Sequence, residues 1–172
     1  VSRVPVGEAI RILISEGFLE ALSPRRIVVR QLSRRDVVQL FDVREALEVL
    51  ATRLATERAD PAGLARLGRL VERARQATLS GRPDRISRAN ADFHHHIVAL
   101  ADNELLGSVL EPLEGRLRWL FQQVDDPGRL WQEHQELYEA ITSGDAEAAA
   151  ALSLVHVRQY RAIALDLLFA ET

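Results

Sequence analysis

From Ser33 to the end of the chain, apolar residues recur at helical spacing and no strand-like run interrupts them. Ser33 is a good N-cap residue and Asp36 follows three positions later, so we predict a first helix running to Asp60. Five further helices are predicted, bounded by glycine, proline or capping residues, over 61–79, 84–101, 103–124 (kinked at Pro112), 129–143 and 145–170 (opened by Asp145). This pattern predicts an all-helical antiparallel bundle of about six helices over 33–172.

Residues 1–32 show a different pattern. A short helix is predicted over 5–16, and two short apolar runs follow it. The runs flank a turn with two arginines, as in a β-hairpin: the runs are 18–22 and 27–32, and the arginines are Arg25 and Arg26. A helix followed by a basic hairpin is the C-terminal part of a winged helix. The fold class is therefore mostly α, with a domain boundary near Ser33.

The chain has 172 residues and contains no methionine, even at position 1. We therefore expect residues to be missing before Val1, including the N-terminal helices of the winged helix. The alternative is that the sequence omits modified methionines. Charge is also uneven, since residues 1–35 hold seven arginines against three acidic residues while the whole chain has a net charge of -3. A basic N-terminal segment favours an anionic partner such as nucleic acid, although a solvated helix face would have the same composition.

Cysteine and membrane signals are both absent from the sequence. Without cysteine the chain cannot form disulfides or thiolate metal sites, so imidazole, carboxylate, amide or water must hold any metal. No apolar run approaches the roughly 20 residues that span a bilayer, and no charged-then-apolar leader begins the chain. We therefore expect a cytoplasmic protein with no membrane partner.

Three histidines have spacings that let three helices direct one imidazole each to a single point. Ten residues separate His134 from Gly144, and twelve separate Gly144 from His156. If Gly144 is the bend of a helical hairpin, both imidazoles lie about three turns from it and side by side. Asn90 and His94 share one face of an earlier helix. This geometry predicts a buried metal site, and core histidines are the alternative.

A second pair of ligands is possible on the same helix, because Asp92 and His96 are also four residues apart. The apolar stripe that includes Phe93 lies closer to Asn90 and His94, so we prefer that pair as ligands. In this register His95 and His96 are expected at the surface.

Four segments, in order, resemble GntR-type transcriptional regulators of the FadR subgroup, which join a winged helix to a helical ligand-sensing domain called FCD. VSRVPVGEAIRILISEGFLEAL resembles the recognition helix and first wing strand, and DVREALEVLATRLATERA resembles the opening FCD helix. FHHHIVALADN and EHQELYEAITSGDAEAAAALSLVH resemble the later histidine motifs. The resemblance covers nearly the whole chain and implies a DNA-binding domain in 1–32 and an FCD domain in 33–172.

By this resemblance, four residues would bind a divalent metal, with zinc, nickel or manganese as the candidates: Asn90, His94, His134 and His156. The family more commonly has aspartate at the position of Asn90. The amide removes one negative charge, so we expect weaker metal binding and stronger attraction of an anion to an open coordination position.

The resemblance also implies residues that bind a small carboxylate effector. Arg44 would direct its guanidinium into the metal cavity and bind a carboxylate bidentately. The alternative for Arg44 is an i, i+4 salt bridge with Glu48 on the outer face. Arg116 and Arg118 are further pocket candidates.

For DNA, the resemblance implies that Ser2 and Arg3 begin the recognition helix, while Arg25 and Arg26 contact phosphate or the minor groove. The implied partners are a double-stranded DNA operator and a second copy of the chain.

The function that follows is a homodimeric, ligand-responsive transcription factor, not an enzyme, in which metal and acid set the spacing of two DNA-reading heads. Two alternatives stay open. A helical metal-dependent hydrolase would need a base, and none is evident beside the histidines in the sequence. In a structural or metal-sensing module, the ion would only staple helices together.

Overall fold

The computed structural model describes residues 3–117 and 127–169. In these ranges the chain forms seven helices and one two-stranded sheet. They are α1 (Arg3–Ser15), β1 (Leu19–Ser23), β2 (Arg26–Val29), α2 (Arg34–Arg58), α3 (Pro61–Leu79), α4 (Pro83–Leu100), α5 (Glu104–Leu117), α6 (Pro127–Ser143) and α7 (Ala146–Phe169). The predicted fold class, a helix and hairpin followed by a helical bundle, is confirmed.

The N-terminal helix and the hairpin are joined by a glycine turn. Gly17 has a φ of 75°, which favours glycine, and its N–H donates to the carbonyl of Ile14 at 3.0 Å. The strands then pair antiparallel, with Leu19 opposite Val29 and an irregularity in the ladder between Ala21 and Ser23. This is the predicted hairpin, with Arg25 in its turn.

Helix α2 begins where the sequence predicts. The Ser33 hydroxyl accepts from the Asp36 N–H at 3.1 Å, and the Asp36 carboxylate accepts from the Ser33 N–H at 2.9 Å. This reciprocal pair satisfies donors that the first helical turn leaves without partners. The hydrogen bonds to Ser33 also lower the pKa of Asp36. The predicted capping box is therefore present.

The core of the bundle consists of two main apolar clusters. The first joins α3, α4 and α6 and includes Leu67, Phe93, Ile97, Leu137 and Ile141. The second joins α2 with α7 and the start of α6 and includes Val37, Phe41, Leu130, Val157 and Tyr160. Burial of these side chains is the main force that holds the helices in place. The predicted histidines lie between the two clusters.

Helix bounds agree with the predicted segments to within a few residues, except that the predicted helix over 103–124 is described only to Leu117. Pro112 lies inside α5, as expected. Gly144 has a φ of 78° at the α6–α7 bend, and Asp145 caps α7 by accepting from the Ala148 N–H at 3.0 Å. Within the described ranges, no helix combines the length and apolarity needed to cross a membrane.

Candidate metal centre

Three imidazoles from three helices meet inside the bundle. His94 lies on α4, His134 on α6 and His156 on α7, and one ligand nitrogen from each lies within 4.8 Å of the others. His134 and His156 are buried, and His94 is partly buried. The three predicted histidines are thus brought together, and the α6–α7 hairpin places two of them on either side of its bend.

The rings are held by aromatic contacts with both core clusters. His134 stacks on Phe93 with a centroid distance of 4.3 Å, and His156 packs against Tyr160 at 4.7 Å. His94 stacks on His156 at 5.1 Å. Each of the three rings therefore packs against another aromatic ring in the interior.

A carboxylate that the sequence did not reveal orients His156. Nδ1 of His156 lies 2.9 Å from Oε2 of Glu133, and a carboxylate can only accept, so Nδ1 carries the proton. This leaves Nε2 of His156 with a lone pair, 3.3 Å from Nε2 of His94. The expectation that no carboxylate lies beside the histidines is therefore wrong. Glu133 also accepts from Arg129 at 3.0 Å, and such outer partners raise the basicity of a ligating imidazole.

Two of the predicted ligands contain buried polar atoms that find no partner among the described residues. Within residues 3–117 and 127–169, neither ring nitrogen of His134 has a hydrogen bond, and nor does Oδ1 of Asn90. Each such atom costs about 1–3 kcal/mol. A cation bound by imidazole nitrogen and amide oxygen would satisfy these atoms, and this donor set suits zinc, nickel or manganese. The residues therefore fit a divalent metal.

Burial favours the neutral forms of His94 and His134. It lowers the pKa of His94 and of His134 well below 6.5, and the neighbouring His156 adds to both shifts through charge repulsion. Neutral imidazoles have the free lone pairs that a metal needs. Protonation of His94 and His134 is therefore unfavourable, and their ring nitrogens are available to bind a metal.

Arg44 is buried beside the histidines. Its guanidinium pairs with Glu48 at 2.5 Å, and both side chains are more than nine-tenths buried. The predicted i, i+4 pair is thus present, but its placement on the outer face is wrong, because this face of α2 packs into the bundle. The positive charge of Arg44 is close enough to lower the pKa of His94 further.

Tyr160 is a further buried side chain with a polar group, and its ring packs against His156. Burial raises the pKa of its phenol, so the hydroxyl stays protonated. A protonated phenol can donate a hydrogen bond next to His156.

The alternative ligand pair, Asp92 and His96, lies outside the histidine site. Asp92 lies 3.4 Å from Arg73, and Nε2 of His96 donates to the carbonyl of Gly63 at 3.0 Å. His96 is buried, so its expected surface position is wrong, because the first turn of α3 covers that part of α4. His95 is exposed, as expected.

Most of the chain matches a known protein family. Residues 39–159 match the FCD domain. The chain belongs to the FCD family of GntR-type transcriptional regulators. These proteins are DNA-binding regulators and not enzymes.

Individual relatives agree with this family. The chain is 29% identical over 161 residues to the uncharacterized HTH-type transcriptional regulator YdhC of Bacillus subtilis, covering 91% of this chain and 72% of YdhC. It is 29% identical over 184 residues to the HTH-type transcriptional regulator LutR of the same organism, covering 91% and 82%. The solved structure of Escherichia coli McbR/YncC superposes with a TM-score of 0.85 at 25% identity, covering 97% of this chain and 86% of McbR/YncC.

In a GntR-type regulator, the N-terminal arginines are candidates for DNA contact. Both hairpin arginines are exposed, with Arg25 in the turn and Arg26 at the start of β2. Ser2 and the side chain of Arg3 lie outside the described residues, as do Arg118 and the side chain of Arg116.

Proposed function

We propose that this regulator senses a small organic acid through a divalent metal held by His94, His134 and His156, with Asn90 as a fourth ligand. The observation that carries the proposal is the convergence of three imidazoles, among which His134 has no hydrogen bond from either ring nitrogen to any described residue. When bound, the metal supplies a positive centre with an open position that attracts a carboxylate.

The ligand set determines which ions and effectors are favoured. Three neutral imidazoles and one amide leave the charge of a dication uncompensated, whereas an aspartate at position 90 would cancel part of it. These ligands favour zinc, nickel or manganese. Compared with a site that has aspartate at position 90, this site should bind the metal less tightly and an anion more tightly.

Arg44 is the residue of the described chain that we assign to the effector carboxylate beside the metal. Its guanidinium lies over the ring of Phe41 at 4.9 Å and is anchored by Glu48, which holds it near His94. An arginine fixed in this way loses little rotamer entropy when a carboxylate arrives. Arg116 and Arg118 are further proposed effector contacts, by resemblance to the family.

The DNA-binding part extends, in this proposal, over residues 1–32, and the metal and effector domain over 33–172. Ser2 and Arg3 would read the operator from the start of the recognition helix, and Arg25 and Arg26 would contact the DNA backbone. An Arg3→Ala change is expected to weaken operator binding and alter base preference. Unchanged binding in a gel shift at physiological salt would refute that role.

Helix α7 links the two parts. It carries His156 near its middle, and its last turn, with Leu168 and Phe169, lines a cavity of about 550 Å³ together with hairpin residues Phe18 and Val29. A ligand that favours one packing of α7 would thereby change the position of the hairpin. In a homodimer, the same change alters the distance between the two DNA-binding domains.

The dimer itself is part of the proposal. Val43 and Leu50 lie seven residues apart on α2, and both are exposed. A second copy of the chain could cover this apolar stripe.

A thermal-shift experiment tests the proposal. Metal-free protein is titrated with zinc, nickel and manganese, and the metal-loaded protein is then titrated with a panel of small carboxylic acids. We expect one stabilisation from the metal and a second from an acid, each growing with ligand concentration. Stabilisation by metal with no response to any acid would instead favour a metal that has only a structural role.

A further inference from the structure

We propose that Trp131 forms a second polar subsite beside the metal centre, which takes an oxygen atom at the far end of the bound acid. The inference rests on the proposed function, because it assumes that a carboxylate binds at the metal. It narrows the effector class to acids that carry a second hydrogen-bond acceptor.

The position of Trp131 follows from its place on α6. Trp131 lies three residues before His134 on α6, and therefore on the same face. Its ring packs against the small cluster of Ala74, Ala77 and Ala89 on α3 and α4, and also against the core cluster that contains Phe93, on which His134 stacks. The indole is thus about one helical turn from His134 along α6.

The indole nitrogen lacks a partner in this position. Nε1 of Trp131 is buried and makes no hydrogen bond in the part of the chain that the structure describes. The cluster against which it packs consists of Ala74, Ala77 and Ala89, whose side chains cannot accept a hydrogen bond. An indole N–H only donates, so the missing partner is an acceptor.

Geometry sets the size of the ligand. One helical turn is about 5.4 Å, and this is roughly the separation between the metal-ligating layer and the layer of Trp131. An acid that spans it carries its second oxygen roughly three or four carbons from the first carboxylate. Dicarboxylates and keto acids of this length meet the requirement, and the corresponding simple fatty acids do not.

Calorimetric titration of the zinc-loaded full chain tests the subsite with two pairs of acids. Succinate is compared with butyrate, which lacks the second carboxylate, and 4-oxopentanoate with pentanoate, which lacks the ketone. We expect the oxygen-bearing acid of at least one pair to bind about tenfold more tightly. Trp131→Phe removes the donor and should abolish that preference while zinc affinity is unchanged. The control Tyr138→Phe removes a hydroxyl elsewhere on α6 and should keep it.

The outcomes separate this inference from the proposed function. If Trp131→Phe binds zinc and keeps the preference of the unmodified chain, the subsite is wrong and the metal sensor stands. If the unmodified chain shows no preference within either pair, the subsite is also wrong. If zinc-loaded protein binds none of the four acids, the subsite is overturned, and the thermal-shift panel of acids then decides the proposed function.

A spectroscopic measurement avoids reliance on the Trp131→Phe variant. The chain has two tryptophans, so ¹⁵N-tryptophan labelling gives two indole N–H signals, and Trp119→Phe identifies that of Trp131. Succinate or 4-oxopentanoate should shift the Trp131 signal downfield and slow its exchange with water. A signal that stays unchanged at saturating acid would overturn the subsite.

Discussion

Nδ1 of His156 and Oε2 of Glu133 lie 2.9 Å apart, and this contact fixes the proton of His156 on the nitrogen that faces away from the other histidines. The arrangement prepares Nε2 as a metal ligand. We therefore assign Glu133 a positioning role, through His156, in metal binding.

Glu133→Gln is expected to weaken zinc binding about 10- to 100-fold, because the amide orients His156 less well and lowers its basicity. Competition with a chromophoric chelator measures the affinity. Glu139→Gln, on the exposed face of the same helix, is the matched control and should leave it unchanged. Equal affinities in the two variants would remove Glu133 from the site.

Asn90→Asp is expected to tighten zinc binding by at least about tenfold, since an added carboxylate beside a partly buried dication is strongly attractive. The same change should weaken binding of the acid effector, because less positive charge is left to attract it. Calorimetry measures both affinities. Zinc affinity that does not respond to this substitution would mean that Asn90 is not a ligand.

His134→Leu should have opposite effects on stability with and without metal. In metal-free protein it removes two buried nitrogens without partners, each costing about 1–3 kcal/mol, and loses ring stacking worth about 0.5–1.5 kcal/mol. The free energy of unfolding should therefore rise by about 1 kcal/mol or more, while stabilisation by zinc disappears. Urea unfolding checks this, and a variant less stable than the unmodified metal-free chain would contradict it.

The metal-free chain should lose stability as the pH falls below 6.5. Burial lowers the pKa of His94 and His134 in the folded state, so the unfolded chain binds more protons in this range and stability rises with pH. From pH 7.5 to 5.5 the two residues together should lower the free energy of unfolding by about 3 kcal/mol. Urea unfolding at both values measures the loss, and His134→Leu should roughly halve it. A loss of equal size in that variant would argue against the buried neutral histidines.

The hairpin arginines should contribute mainly electrostatic affinity for DNA. Replacing Arg25 and Arg26 with glutamine should reduce the slope of log affinity against log salt by about 1.8, or about 0.9 for each lost phosphate contact. Fluorescence anisotropy with a random-sequence duplex measures the slope. Arg75→Gln, whose arginine pairs with Glu72 on α3, is the control. If both proteins have the same slope, the hairpin does not contact phosphate.

The histidine cluster could be predicted because it depends on features that sequence records directly. Helical periodicity sets which face a residue occupies, and Gly144 marks the bend that brings His134 level with His156. The capping box at Ser33 is similarly local, since it depends on two residues three positions apart.

The features that sequence missed depend on how neighbouring helices approach. His96 is buried because the first turn of α3 covers it, and Arg44 and Glu48 are buried because their face of α2 turns inward. Glu133 contacts His156 across two helices, and no spacing within α6 reveals such a contact. Long-range packing overrode the local pattern in each case.

Elemental analysis of the purified chain, dialysed against chelator and reloaded with zinc, tests the metal centre most directly. We expect about one tightly held ion for each chain, and none after His94→Ala or His134→Ala in protein that remains helical by circular dichroism. A chain that holds no ion after reloading, or that holds the same amount without these histidines, would contradict it.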